Sequence, residues 1–412
     1  MSLLIKNIRQ LVGVRENSTL LRGKELSELP FINNAWIHIE NNLIVGYGSM
    51  DSLNIKEFKN SIDATGRLVM PCWCDSHTHL VFAGSRENEF VDKIKGKTYA
   101  EIAAHGGGIL NSCKRLNEAT EDELFNQAWK RLEQIAKTGT GAVEIKSGYG
   151  LSVDGELKML RVIKRLKERS NLIIKATFLS AHAYPESFRD NHQGYIRQII
   201  DEMLPVIGKE NLADYIDVFC EEGFFSISET KQILTAGKQY GLKPKIHANQ
   251  LNNSGGVQIG VKHNAISVDH LETMAEAEIE CLINSTTIAT ALPTAAFFLR
   301  MNYPPVRKMI ENNIAVALAT DYNPGSSPSG NMPLLIALSC IQMKMTPEEA
   351  INAATINGAY AMEVQDEAGS VAVGKRANLI ITQPMPSLAY MPYSFGENLI
   401  DKVILNGTVI KS

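Results

Sequence analysis

The feature that most constrains this chain is a rhythm. Eight short apolar, β-branched runs recur, at residues 68–74, 141–146, 172–179, 216–220, 244–247, 265–268, 287–291 and 314–319. Between them lie stretches with apolar residues at helical spacing, such as 121–137, 157–168, 196–207 and 228–240. Strands alternating with helices pack as a parallel sheet covered by helices, and eight such units close into a barrel. The expected fold is therefore α/β, a (β/α)8 TIM barrel. In such a barrel the site sits where the C-terminal ends of the strands converge.

The two ends of the chain read differently. Residues 1–67 and 366–412 hold short β-like segments separated by polar turns, such as 35–39 and 377–382. Neither end can bury a core alone. A small β-sandwich domain assembled from both termini is expected, with residues 68–365 as the barrel.

Composition adds exclusions. Of 412 residues, 44% are apolar and 21% charged, ordinary for a soluble globular protein. A net charge of −4 gives no electrostatic reason for a nucleic acid or an anionic membrane as partner. The six cysteines lie mostly far apart in apolar segments, which reads as buried thiols rather than a disulfide framework. Cys72 and Cys74 are close enough to share a metal, but no second pair completes a site. No apolar run has the length of a membrane span or a signal-peptide core. A cytoplasmic enzyme is the expectation.

The chemistry gathers at the ends of the runs. The first ends in Asp75-Ser76-His77-Thr78-His79, the fifth in His247-Ala248-Asn249-Gln250, the sixth in Asp269-His270-Leu271-Glu272 and the eighth in Thr320-Asp321. His77 and His79 are two apart at a strand end, so their imidazoles project to one side and can take two positions on one metal. Alone, such a pair is as often two ordinary loop histidines. His247 and Asp321, at later tips, add a third imidazole and a carboxylate. That set suits Zn2+ or Fe2+ and leaves a place for water, whose pKa then falls toward ~7.

A hydrolase also needs a proton shuttle. His270 is the first candidate, since an imidazole titrates near neutral pH, and Asp321 can share the task. Arg86 lies in the first strand–helix loop, where a guanidinium can clamp a substrate carboxylate; the bland alternative is a solvated arginine. Tyr149, between two glycines, presents a phenol to a ligand. His182 can donate a hydrogen bond to a substrate carbonyl. The run Gly106-Gly107-Gly108 reads as a ligand-hugging loop and lacks the context of a phosphate loop.

With these residues in hand, the chain closely resembles the imidazolonepropionases, a family of the amidohydrolase superfamily, nearly end to end. The likeness rests on the stretch from Asp75 to Arg86, the Ile102-Ala103-Ala104-His105-Gly106-Gly107-Gly108-Ile109 loop, Glu144-Ile145-Lys146-Ser147-Gly148-Tyr149-Gly150, and Thr320-Asp321-Tyr322-Asn323-Pro324-Gly325-Ser326. The resemblance implies one Zn or Fe (Zn2+, or Fe2+/Fe3+) per subunit, held by His77, His79, His247 and Asp321. It implies substrate contacts from Arg86, Tyr149, His182 and position 250, product contacts from Tyr149, Asn323, Gly325 and Ser326, and a homodimer. It places His270 beside the metal's water. The implied reaction is hydrolytic opening of 4-imidazolone-5-propanoate to N-formimidoyl-L-glutamate, a step of histidine degradation. No lysine stands at the fourth tip, Phe219-Cys220-Glu221-Glu222, so a carbamate-bridged two-metal site is not expected.

One position departs from the pattern. Some members of that family carry Glu three residues after the fifth-strand histidine, with a part in activating water; here it is Gln250. An amide is no base, so Gln250 can only orient the ring or the water, and proton transfer shifts to His270, with Asp321 as alternative. Two other functions stay open: another mononuclear amidohydrolase, such as a heterocyclic-base deaminase, and a catalytically silent binding barrel. Arg86 and the 323–326 turn favour a substrate with a carboxylate over the first. The complete ligand set argues against the second.

Overall fold

The computed structural model describes residues 2–54, 60–97, 101 and 107–410. Within the glycine-rich motif, residues 102–106 lie outside them.

The first strands belong to a sheet made by both ends of the chain. They are β1 (Ser2–Val12), β2 (Phe31–Glu40), β3 (Leu43–Ser49), β4 (Ser61–Asp63) and β5 (Leu68–Pro71). The barrel follows with β6 (Trp73–Thr78), β7 (Thr140–Lys146), β8 (Ile173–Ala181), β9 (Tyr215–Cys220), β10 (Lys243–Ala248), β11 (Ser267–His270), β12 (Ile288–Ala291) and β13 (Val316–Leu318). Then β14 (Leu379–Thr382), β15 (Ile400–Leu405) and β16 (Thr408–Ile410) return to the first sheet.

That first sheet is mixed and runs β16-β15-β14-β5-β1-β2-β3, with β4 added on β1. Its strands alternate sides, as extended chain must. Ala35, Ile37 and Ile39 of β2 pack with Ile5 and Ile8 of β1, Val69 of β5 and Ile381 of β14 into a core of their own. Both termini are needed to enclose it.

The second sheet is parallel, with β6 to β13 paired in sequence order. It closes between its first and last strands. Thr78 bridges Tyr322, the His79 N–H donates to the Tyr322 carbonyl at 2.9 Å, and the Asp321 N–H donates to the His77 carbonyl at 2.9 Å. The seam therefore sets Asp321 beside the two histidines, although some 240 residues separate them.

One run divides differently from its sequence pattern. Residues 68–74 are not a single barrel strand. β5 pairs with β1 and β14 in the terminal sheet, and the barrel begins at Trp73. Cys72 carries the hand-over: its N–H donates to the Asn378 carbonyl, while that of Trp73 donates to the Gly139 carbonyl. Both segments are fully buried, so no alternation marks the join.

All six cysteines are free thiols. Burial pushes the Cys74 thiol up to about 12, and neither it nor Cys72 joins a metal-ligating group among the described residues. No described helix is long and apolar enough to cross a membrane.

Candidate active site

Two of the histidines are held from behind by buried carboxylates. His77 Nδ1 lies 2.6 Å from Asp269 Oδ2. His247 donates its backbone N–H to Asp217 Oδ1 at 3.1 Å, and its Nδ1 lies 3.0 Å from Asp217 Oδ2. The Nε2 atoms of both rings are buried without a hydrogen-bond partner, as is His247 Nδ1, which meets Asp217 only at ion-pair distance. The rings of His77 and His247 are 4.4 Å apart, centroid to centroid.

Asp321 Oδ1 meets them, 3.6 Å from His77 Nε2 and 3.5 Å from His79 Nε2. Ligand atoms of His77, His79 and His247 lie within 4.8 Å of one another, and so do those of His77, His270 and Asp321. Burial holds His77 and His79 well below the usual imidazole range, which keeps them neutral as metal ligands must be. Burial also raises the Asp321 carboxyl, against the pull of His270 and His247. Orphaned buried nitrogens converging on a buried carboxylate cost free energy unless something satisfies them. A divalent metal fits that need, and the donor set suits one.

The holding carboxylates are held in turn. Lys146 Nζ sits 2.6 Å from Glu144 Oε1, 2.8 Å from Asp217 Oδ2 and 3.5 Å from Asp269 Oδ2. Lys245 pairs with the other oxygen of Glu144. All five side chains are fully buried beneath the site.

His270 differs from the other imidazoles. It ends β11 with φ +87°, followed by Leu271 at +71°, a left-handed pair of non-glycine residues. Such strain persists only where the surroundings enforce it. Burial alone would lower His270, but Glu272, 3.3 Å from Nδ1, and then Asp321 and Asp269 outweigh it and raise its pKa. Its ring lies 5.3 Å from that of His247.

His182 is the reverse. Burial and then His247 bring it down to about 3, so it is neutral at working pH. Its Nδ1 lies 3.1 Å from the Gly148 carbonyl, which places the single ring proton on Nδ1. Nε2 then offers a lone pair. That lone pair bears on the expected hydrogen bond from this ring to a substrate carbonyl.

Tyr149 sits on a turn cradled by Glu156, which accepts from the N–H groups of Gly148 at 3.1 Å, Gly150 at 2.7 Å and Leu151 at 3.0 Å. Burial raises the Tyr149 phenol, keeping it a neutral donor. Asn323 closes its own turn: its Oδ1 accepts from the Gly325 and Ser326 N–H groups at 2.7 and 2.8 Å. Ser326 Oγ donates to Asp321 Oδ2 at 3.1 Å. Arg86 spends Nε and Nη2 on Glu89 Oε2, at 2.8 and 2.6 Å.

These groups share one cavity of about 520 Å3. His79, His247, His270 and Asp321 line it, with Arg86, Tyr149, His182, Gln250, Asn323, Gly325 and Ser326. His77 is the one expected site residue behind its wall. Sequence reasoning missed the apolar lining from Ile109, Phe219, Phe224, Leu251 and Leu299, which carries no chemical signature, and it missed Lys93. The signal for Lys93 was its place seven residues after Arg86, two helical turns along one face.

The barrel, the seam and the cluster of buried imidazoles around Asp321 define a metal-dependent hydrolase of the amidohydrolase type. A profile of the amidohydrolase family matches residues 68–410, and the chain belongs to that family. Within it, the chain is 57% identical to an imidazolonepropionase from Flavobacterium johnsoniae over 99% of each chain. It is 54% identical to one from Christiangramia forsetii over 100% of each, and 42% identical to one from Clostridium tetani over 94% of this chain and 93% of that one. Among solved structures, a 5-methylcytosine deaminase from Klebsiella pneumoniae superposes with a TM-score of 0.72 at 17% identity, covering 99% of this chain and 97% of that one. A zinc-bound adenosine deaminase from Xanthomonas campestris gives 0.69 at 14%, covering 99% and 92%. Those two likenesses establish the fold alone.

Proposed function

We propose that this enzyme is an imidazolonepropionase, opening the ring of 4-imidazolone-5-propanoate to N-formimidoyl-L-glutamate. The observation that carries this is a metal-ready cluster of His77, His79 and His247, with Asp321 beside it, at one cavity that also holds the guanidinium of Arg86. Relatives at 57% and 54% identity over the full length bear the same activity in their names.

His77, His79, His247 and Asp321 would hold one Zn or Fe per subunit. Such a metal supplies Lewis acidity that lowers the pKa of its water to ~7. The chain's own residues do the rest. Arg86 clamps the propanoate, and His182 Nε2 accepts a ring N–H. Tyr149 donates from its phenol, and Gln250 orients the ring or the water. Net addition of water puts oxygen on the ring carbonyl carbon, breaks its bond to the ring nitrogen, and delivers a proton to that nitrogen. His270, the imidazole raised toward its charged form, is the group to deliver it. Asn323, Gly325 and Ser326 frame the product. A homodimer in the cytoplasm completes this reading, supported by the family resemblance.

The test sets loss of imidazolone absorbance against ammonia release from purines and pyrimidines. Turnover of the imidazolone is expected. Ammonia from a base with no imidazolone turnover overturns it in favour of a deaminase, the nearest alternative. Metal content of the purified protein, by elemental analysis, then distinguishes Zn from Fe.

A further inference from the structure

Arg86 alone is a poor receptor for a carboxylate. Its Nε–Nη2 edge, the one best shaped for bidentate pairing, is already filled by Glu89. Glu89 is itself fixed, since its Oε1 accepts the Gly108 N–H at 3.1 Å. A substrate anion approaching Arg86 meets a guanidinium neutralised by its neighbour, with the Glu89 charge close behind. What Arg86 keeps free is Nη1, pressed against Gly325 so closely that a Cβ there would collide with it.

A second cation reaches the same spot. Lys93 stands on the helix Glu87–Ile94, and Arg86, Glu89 and Lys93 fall at i, i+3 and i+7 on one face. Lys93 Nζ lies 3.5 Å from the Gly325 carbonyl, a long contact that leaves most of its donor capacity unused. Among the described residues, no carboxylate lies within 4.0 Å of that ammonium. Lys93 lines the cavity beside Arg86, Gly325 and Ile109. Burial and then Arg86 lower its pKa, against a smaller opposing pull from Glu89, as for a cation set beside a cation without an anion of its own. Among the described residues, two cations and one anion leave a net charge of +1 at this end of the cavity. That matches one carboxylate.

We infer that Lys93 is a second carboxylate-binding residue of this site, taking the substrate's propanoate together with the free edge of Arg86. Glu89 then acts as a positioning residue, holding the guanidinium so that Nη1 faces the ligand. The inference rests on the reading of the substrate given above. It adds which group supplies the uncompensated charge.

The experiment uses the full, metal-loaded enzyme as wild type, Lys93→Met and Lys93→Arg. Methionine keeps the unbranched stem and removes the charge. Removing one charged hydrogen-bond partner should raise KM for imidazolone-propanoate about 10- to 100-fold, with kcat held within about threefold. Two inert competitors separate charge from packing: imidazole-4-propanoate, and 4-propylimidazole, which lacks the carboxylate. Inhibition by the first should weaken by the same factor in Lys93→Met and recover in Lys93→Arg, while inhibition by the second should not move. An unchanged KM in Lys93→Met, or equal weakening of both competitors, overturns the role of Lys93 and leaves wild-type turnover standing. A wild-type enzyme that does not open the imidazolone ring overturns the substrate reading itself, and this inference with it.

Discussion

Asp269 holds His77: its Oδ2 faces His77 Nδ1 at 2.6 Å, with both side chains fully buried. The ring proton is thereby drawn to Nδ1, and Nε2 is left as a lone pair facing the other ligands. Lys146, 3.5 Å from the same oxygen, keeps the carboxylate from turning away. Groups placed behind metal ligands fix the tautomer and ring orientation, and their loss usually costs ~10–100-fold in metal affinity. Asp269→Asn should therefore weaken metal binding by that factor, read by competition with a chromophoric chelator. An affinity within twofold of wild type would show that His77 is oriented by packing alone.

The proton for the leaving nitrogen is predicted to come from His270. His77, His79 and His182 are held neutral by burial, while the carboxylates around His270 raise it. His270→Ala should lower kcat by about two to four orders of magnitude, the usual range for a general acid–base group. Metal content should stay near wild type. Activity within a few-fold would pass the role to Asp321.

Arg86→Ala removes a clamp remote from the bond that breaks, so KM should rise with little change in kcat. It also leaves Glu89 unpaired and nearly buried, facing the Gly108 N–H alone. The rise in KM should therefore shrink when Glu89→Gln is added, because the stranded charge that repels the substrate is gone. A double variant no better than Arg86→Ala would mean that Glu89 exerts no field on the ligand.

Much of this site was legible in the sequence because barrel topology turns strand ends into neighbours. His77, His79, His247, His270 and Asp321 each close a short apolar run, and parallel pairing in sequence order brings those ends together. The hand-over at Cys72 was not legible, since residues on both sides are fully buried and a continuous apolar run shows no period. The buried group of Glu144, Lys146, Asp217, Lys245 and Asp269 was hidden for a different reason. Charges in a strand read as solvent-facing, and only the fold shows that these compensate one another. The polarity of His182 was hidden as well, because it depends on the Gly148 carbonyl, 34 positions earlier in the chain.

Burial of His182 should also make the fold sensitive to acid. In the folded protein His182 titrates at about 3, held down by burial and then by His247, against an ordinary 6.5 when the chain unfolds. Between those two values the unfolded state carries one proton on this residue and the folded state none. Stability therefore falls as pH drops below 6.5, by about 1.4 kcal/mol per pH unit from this group alone. Above 6.5 the ring is neutral in both states and contributes no slope. Glutamine does not titrate, so His182→Gln should shallow the acid side of the stability–pH curve by that amount and leave the neutral side parallel to wild type. The measurement is urea unfolding of both proteins, metal-free, at intervals from pH 7 to pH 5. Parallel curves across the whole range would mean that His182 takes up a proton in the folded state, and its Nε2 would then be a donor after all.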